Sequence, residues 1–579
     1  MPLGWQGWAK IPAEDGIYLV VDGFAVVKGN SFETAGTSNI GNNIQSIIQL
    51  YRREDADFIK GLRGSFALAL WDSNRERLFL ATDPLGTKSL YYWCSGKKIA
   101  FAPRLSWLAS TPEIPISLDP NSLYFYLNHS FIPAPFTIYQ SIRRLEPGQC
   151  LSWSQGRASI RQYWDITYEE EPKLTEREAA SMVRTSLEES LRFLLQCGMG
   201  EVDGLGSFLS GGTDSSTVLG LLSQIKGEPI QSFSVGFDEG GYNEIHYARV
   251  AASHFKSLAH ETFVRPKEAL DAIPALAEAF DEPFGNSSAL PTYFCLDMAR
   301  QAGVNVMFAG DGGDELFGGN ERYTTEKVFS LYQEIPGALR RWIDFGAEVL
   351  PPLFHLRKFK NYVRKANQPA IERFFAYQLY FRDHAHEYLC DEFMESLDVE
   401  FPLEVPKRHY KRAGNVSPLN RLLYVDLKLA IADNDLIKVN RMAERHGVDV
   451  RYPFLDPLVS QAAGKLPVGM KVKGWSKRYI FKKAFKNLLP AEILRKKKHG
   501  FGLPTGDWLR DDPGFRDLAR SLLLDARSVQ RGYFKRAALE KLLQLHAGET
   551  SSYYGSHIWN FIMLELWHQT HADKNAALS

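Results

Sequence analysis

The chain has 579 residues, 45% of them hydrophobic and 23% charged, with 68 basic residues against 68 acidic ones. That length predicts two or more domains with an ordinary globular core, and the cancelled charge gives no ground for nucleic acid as a partner. Five scattered cysteines, with no CxxC pair and no histidine cluster nearby, argue against a disulfide framework or zinc site and read as reduced thiols.

No apolar run approaches the roughly 18 residues of a membrane span. The first residues lack the basic-then-apolar pattern of a signal peptide. A cytoplasmic protein with no membrane partner is expected.

From residue 16 to about 165 the pattern predicts strands. Residues 17–21 and 24–27 flank Asp22-Gly23, a hairpin signal. Residues 65–71 turn at Asp72-Ser73-Asn74 into residues 77–81, and residues 90–93 meet 98–101 at Ser95-Gly96. Short strands with tight turns and few helices predict a layered α+β domain on antiparallel sheet, taken as residues 1–170. A polar stretch over 167–175 reads as a linker.

Beyond it the texture changes. Residues 176–195 are predicted helical, and then strands at the Ser207–Leu209 lead-in, 230–235 and 304–309 alternate with helices, including 266–280 and 291–302. Such alternation predicts a parallel sheet with ligands at the strand C-terminal ends. From about 324 onward the chain reads as mostly helical, so residues 171–579 form an α/β domain with a large helical C-terminal part.

The most informative stretch is Ser207-Phe208-Leu209-Ser210-Gly211-Gly212-Thr213-Asp214-Ser215-Ser216. An apolar strand runs into a small-residue loop and then a helix, an arrangement that cradles an oxyanion with backbone N–H groups and a helix N-terminus. No Lys follows the glycines, as it would in a Walker loop. Asp214 stands there instead, and an acid beside a phosphate implies Mg2+. The plainer reading of the loop is a Gly-rich turn.

A second cluster, Gly310-Asp311-Gly312-Gly313-Asp314-Glu315-Leu316-Phe317-Gly318-Gly319, follows the 304–309 strand and should share the sheet edge with the cradle. Its acids and glycines suit Mg2+ and a phosphate-bearing ligand. Asp281-Glu282-Pro283-Phe284 closes a predicted helix. Two basic elements complete the set, Lys477 in Ser476-Lys477-Arg478 and Lys498 in Lys496-Lys497-Lys498-His499-Gly500-Phe501-Gly502.

In this order, these elements together with Val450-Arg451-Tyr452-Pro453-Phe454-Leu455-Asp456 resemble the asparagine synthetase family, a group of N-type ATP pyrophosphatases. The first half is similar to that family's glutamine amidotransferase domain at Leu62-Arg63-Gly64-Ser65-Phe66, Thr82-Asp83-Pro84-Leu85-Gly86 and Phe131-Ile132-Pro133. The resemblance implies that Leu209, Ser210, Gly211, Gly212, Asp214, Ser215 and Ser216 hold ATP, with Val235 and Gly236 at the adenine and Gly310, Asp311 and Gly312 nearby. It implies Mg2+ on Asp214 and Asp314, and Lys477 and Lys498 as the cations that neutralise departing pyrophosphate. The implied reaction moves AMP onto a substrate carboxylate, which an amine then attacks. A small-molecule or peptide carboxylate and an amine are the expected partners, with a homodimer left open.

Two departures bear on the reaction. Glutamine-dependent members begin with a Cys; position 2 here is Pro, the first Cys is Cys94, and Asp22-Gly23 comes early, so no glutaminase activity is expected. The family's general-base Glu is Asp449 here, a carboxylate withdrawn by one methylene, about 1.3–1.5 Å. Asp449 could equally just pair with Arg451. An amide-forming ligase using ammonia or a free amine is the leading expectation. Specialised relatives such as lasso-peptide cyclases and β-lactam synthetases, or a silent nucleotide-binding assembly protein, are the alternatives.

Overall fold

The computed structural model describes residues 11–12, 14–29, 40–197, 204–349, 354–496, 503–548 and 554–574. The first half contains β1 (Ile11–Pro12), β2 (Ile17–Val27), α1 (Ile40–Glu54), β3 (Leu62–Asp72), β4 (Arg77–Thr82), β5 (Tyr91–Ser95), β6 (Lys98–Ala102), α2 (Pro120–His129), β7 (Arg143–Arg144), β8 (Gln149–Ser154) and β9 (Arg157–Gln162). Six strands form one antiparallel sheet in the order β1-β2-β3-β4-β8-β9, and the others form a small sheet, β6-β5-β7. Strand alternation builds the layers. Phe66, Leu68 and Leu70 of β3 face Ile44, Ile47 and Tyr51 of α1, while Ala67 and Ala69 face the small sheet. This is the layered α+β half that the sequence predicts.

One expectation fails here. Asp22-Gly23 makes no hairpin, because β2 runs straight through it and pairs with β3 without interruption, from Ile17 opposite Asp72 to Val27 opposite Leu62. A tight two-residue hairpin needs φ above zero at both central residues (type I′) or at the first (type II′), and here only the second, Gly23, has it, at +85°. The ladder with β3 outweighs the local signal, and Gly23 serves instead where the Ser65 backbone approaches too closely for a Cβ.

The second half begins with α3 (Glu176–Gln196), whose first turn is closed by a reciprocal cap between Thr175 and Glu178. Then follow β10 (Leu205–Phe208), α4 (Thr213–Lys226), β11 (Gln231–Gly236), α5 (Ile245–Phe255), β12 (Leu258–Phe263), α6 (Pro266–Ala279), α7 (Ala289–Gln301) and β13 (Val306–Phe308). After a helical stretch that includes α8 (Glu321–Gln333), α9 (Gly337–Val349), α10 (Phe354–Ala366) and α11 (Leu436–His446) comes β14 (Asp449–Arg451). The five strands are parallel in the order β12-β11-β10-β13-β14. The chain moves outward from β10 through β11 to β12, then returns to the other side of β10 with β13. A crevice opens at such a reversal, beyond the strand C-termini.

The halves are tied together. Tyr126 of α2 donates to the Asn560 carbonyl at 2.7 Å, in α12 (Gly555–Trp567), and Arg63 of β3 meets buried Asp456 at 2.7 Å.

Candidate active site

Both glycine-bearing loops emerge at that reversal. Residues 209–212 follow β10 and enter α4, with Gly212 as N-cap. Gly211 takes φ +65°, and a Cβ there would run into the Tyr247–Ala248 backbone. Ser210 and Ser215 place their hydroxyls 3.1 Å apart, and the Gly212 N–H donates to the Ser210 hydroxyl at 3.3 Å. The loop after β13 lies directly against this turn: a Cβ on Gly310 would stand 2.9 Å from the Ser215 nitrogen, and one on Gly313 2.5 Å from the Asp214 carboxyl carbon. Glycine is therefore required for the loops to meet.

Between them lies a cavity of about 460 Å³. Leu209, Ser210, Gly212, Asp214, Ser215, Val235, Gly310, Asp311, Gly312, Asp314 and Lys477 all line it. Gly211, Ser216 and Gly236 do not; Ser216 is fully buried one turn into α4. Asp449 does not line it either. It starts β14, and Arg451 Nε holds its carboxylate at 3.0 Å, the pairing that the plainer reading anticipates. Lys498 lies outside the described residues.

The sequence reading missed the cation at the centre. Arg478, next to Lys477, is buried and reaches Asp214 at 2.6 Å with one guanidinium nitrogen and Asp314 with another. It caps the helix Tyr479–Ala484 from a left-handed backbone, φ +53°, which turns its side chain into the cavity while Lys477 pairs with Glu321 at 3.2 Å. Lys482 and Lys496 also line the cavity; Lys496 reaches the Ser210 carbonyl at 3.3 Å and Glu244 at 3.2 Å. The opposite wall carries Asp435 and Lys438, 2.6 Å apart, where the wide helical segment Leu427–Asp435 runs into α11. Only the adjacency of Arg478 to Lys477 could have signalled its role; nothing local marks Asp435 and Lys438.

Neither sign of charge is comfortable here. Burial raises the Asp214 carboxyl against the pull of Arg478, lifts Asp311 to about 6, and drives Glu315 well above the usual range. Burial equally lowers Arg478, Lys482 and Lys496. A polyphosphate would relieve the cations, and a divalent metal the acids. The residues fit Mg2+: two carboxylates already converge on one positive group, Arg478, in a cradle that glycines keep open.

The Asparagine synthase family matches residues 184–569, and a Glutamine amidotransferase domain matches residues 29–164. Asparagine synthetase [glutamine-hydrolyzing] 1 of Bacillus subtilis is 26% identical over 544 residues, covering 93% of this chain and 82% of that protein. A second B. subtilis protein, asparagine synthetase [glutamine-hydrolyzing] 3, is 23% identical over 532 residues, covering 87% and 78%. Amidase chry2 of Gibberella zeae is 23% identical over 549 residues, covering 86% and 78%.

Proposed function

Since the chain belongs to the asparagine synthase family and so to the ATP-dependent amide-forming ligases, we propose that it adenylates a substrate carboxylate, releases pyrophosphate and passes the acyl group to ammonia or a free amine. The observation that carries this reading is the convergence of cradle, acidic glycine loop and buried cations on one cavity. In it Ser210, Ser215 and the N-terminus of α4 bind the polyphosphate, while Val235 borders the adenine. Mg2+, held by Asp214 and Asp314, would supply charge neutralisation there. Arg478 and Lys477, with Lys482 and Lys496, stabilise the charge that gathers on departing pyrophosphate, a preorganised field of the kind that dominates such transfers. Lys498 keeps the same role on this reading.

Asp449, which lies outside the cavity at the start of β14, is proposed as the base for the amine on the family resemblance. It must leave Arg451 to serve, so Asp449→Asn should spare adenylation and lower amide formation by about 10²–10⁴-fold, read by comparing pyrophosphate exchange with amide yield.

Glutaminase chemistry needs an activated thiolate. Burial raises the thiols of all five cysteines, Cys150 to about 11, Cys197 and Cys295 to about 12, and Cys94 and Cys390 also upward. None is poised as a nucleophile, which supports direct use of ammonia or an amine. ATP–pyrophosphate exchange across a panel of carboxylates tests the proposal. Exchange dependent on one carboxylate supports it; nucleotide binding without exchange on any member sinks it in favour of a silent nucleotide-binding protein.

A further inference from the structure

Helices α8, α9 and α10 pack around a small core of their own, Phe329, Tyr332, Ala347, Val363 and Ala366, separate from the main core. Ile343 and Ala347 turn α9 toward that core. Yet α9 has a second apolar side. Leu339, Trp342 and Phe345 recur every third residue along one face and stand 55%, 74% and 62% exposed. Leu331 of α8 and Phe359 of α10 are exposed as well. A helix apolar on two sides, with one side in water, marks a surface that something covers.

Charge indicates what. The whole chain is neutral, but residues 337–366 carry seven Lys or Arg against two acids. One of those acids, Asp344, accepts from Tyr332 at 2.5 Å and Asn367 at 2.6 Å and so faces the small core. Arg341 on α9 and Lys360, Arg364 and Lys365 on α10 are exposed. Aromatic residues among basic ones form the pattern of a helix lying in an anionic lipid interface. A second copy of the chain would bring two basic surfaces together, which like charge opposes. The expected absence of a membrane partner rests on the lack of a span, and no described helix is long and apolar enough to cross a bilayer; a helix lying flat needs none.

We propose that α9 docks this protein on an anionic bilayer surface, with Leu339, Trp342 and Phe345 entering the headgroup boundary and the basic residues of α9 and α10 meeting the lipid charge. The test is sedimentation of the full chain with phosphatidylcholine vesicles, with and without phosphatidylglycerol. Binding to the phosphatidylglycerol vesicles, released by added salt, is expected. The double variant Trp342→Glu, Phe345→Glu should weaken it by about 100-fold or more, and Arg364→Glu with Lys365→Glu by about 10-fold or more, both with pyrophosphate exchange unchanged. The proposal is overturned if the chain ignores anionic vesicles, binds both vesicle types equally, keeps its binding in the double variant, or proves to be a dimer that the double variant dissociates.

Discussion

Two buried charged regions of this molecule treat their acids in opposite ways. Where the halves meet, Asp281 receives Arg104 at 2.6 Å, Arg441 at 3.4 Å and the Leu105 N–H at 3.0 Å. Burial works against its charge, but the two guanidinium groups overcome it and hold the carboxyl below its ordinary range. Glu146 likewise sits between Arg408 and Arg412 at 2.9 and 2.5 Å. In the cavity, Asp214, Asp311 and Glu315 are left above their ordinary values while Arg478, Lys482 and Lys496 fall below theirs. Around Asp281 the interface supplies its own counter-charge, though burial still leaves Glu282, Asp433 and Asp456 raised despite their arginines. In the cavity acids and cations are shifted together, which a ligand carrying both signs of charge would relieve. A perturbed acid thus points to function only where its neighbours have failed to compensate it.

The largest effect expected is at the interface. Asp281→Ala leaves Arg104 and Arg441 sharing the single carboxylate of Glu444, 2.8 Å from each, and should cost up to about 3–5 kcal/mol of stability in urea unfolding; a small loss there would erase the contrast. In the cavity the pattern should reverse. Asp214→Asn or Asp314→Asn should lower pyrophosphate exchange by about 10²–10³-fold, some 2.7–4 kcal/mol, with the melting temperature unchanged or raised. Mg–ATP at about 100 times its Kd should add about 2.7 kcal/mol of stability, and a chelator should remove most of that gain. If ATP alone stabilises equally, the acids are not the metal's.

The most gradual effect, spread over the pH scale, concerns Glu282, next to Asp281 but lifted by burial to about 7 despite Arg144. Its folded value lies above its unfolded one, so its contribution is present below about pH 4.5 and is lost as pH rises through 7. Loss of about 3 kcal/mol is expected across that window, and Glu282→Gln should flatten it in pH-dependent melts.

Much of the architecture was legible because β10, β11 and β13 run into polar or glycine-rich loops, and because the turns around residues 72–74 and 95–96 act locally. By contrast, β12 and β14 end in Val264-Arg265-Pro266 and Tyr452-Pro453-Phe454 and carry no such signal. Asp22-Gly23 misled because the residues that override it, Ala67 and Phe66 of β3, lie far along the chain. The cradle and the glycine loop could be read as one site since both follow apolar strands. Arg478 was hidden inside a basic run, where solvated charge is the usual reading, and only its left-handed backbone aims it inward. Asp435 and Lys438 sit on helical turns that carry no motif of their own, and only the packing of α11 beside α7 brings them to the cavity.

The Arg478 bridge has a consequence for entry into the site. With a guanidinium seated between Asp214 and Asp314, those carboxylates have a counter-ion before any nucleotide comes. A metal complex can exchange one cation for another and free the arginine for the phosphates it brings. A bare anion has no cation to trade; it can draw on the cavity lysines but must share an arginine already engaged and face two acids. On the proposed reading, the resting site therefore favours a nucleotide that brings its own metal for the acids, while Lys477, Lys482 and Lys496 stand ready for its phosphates.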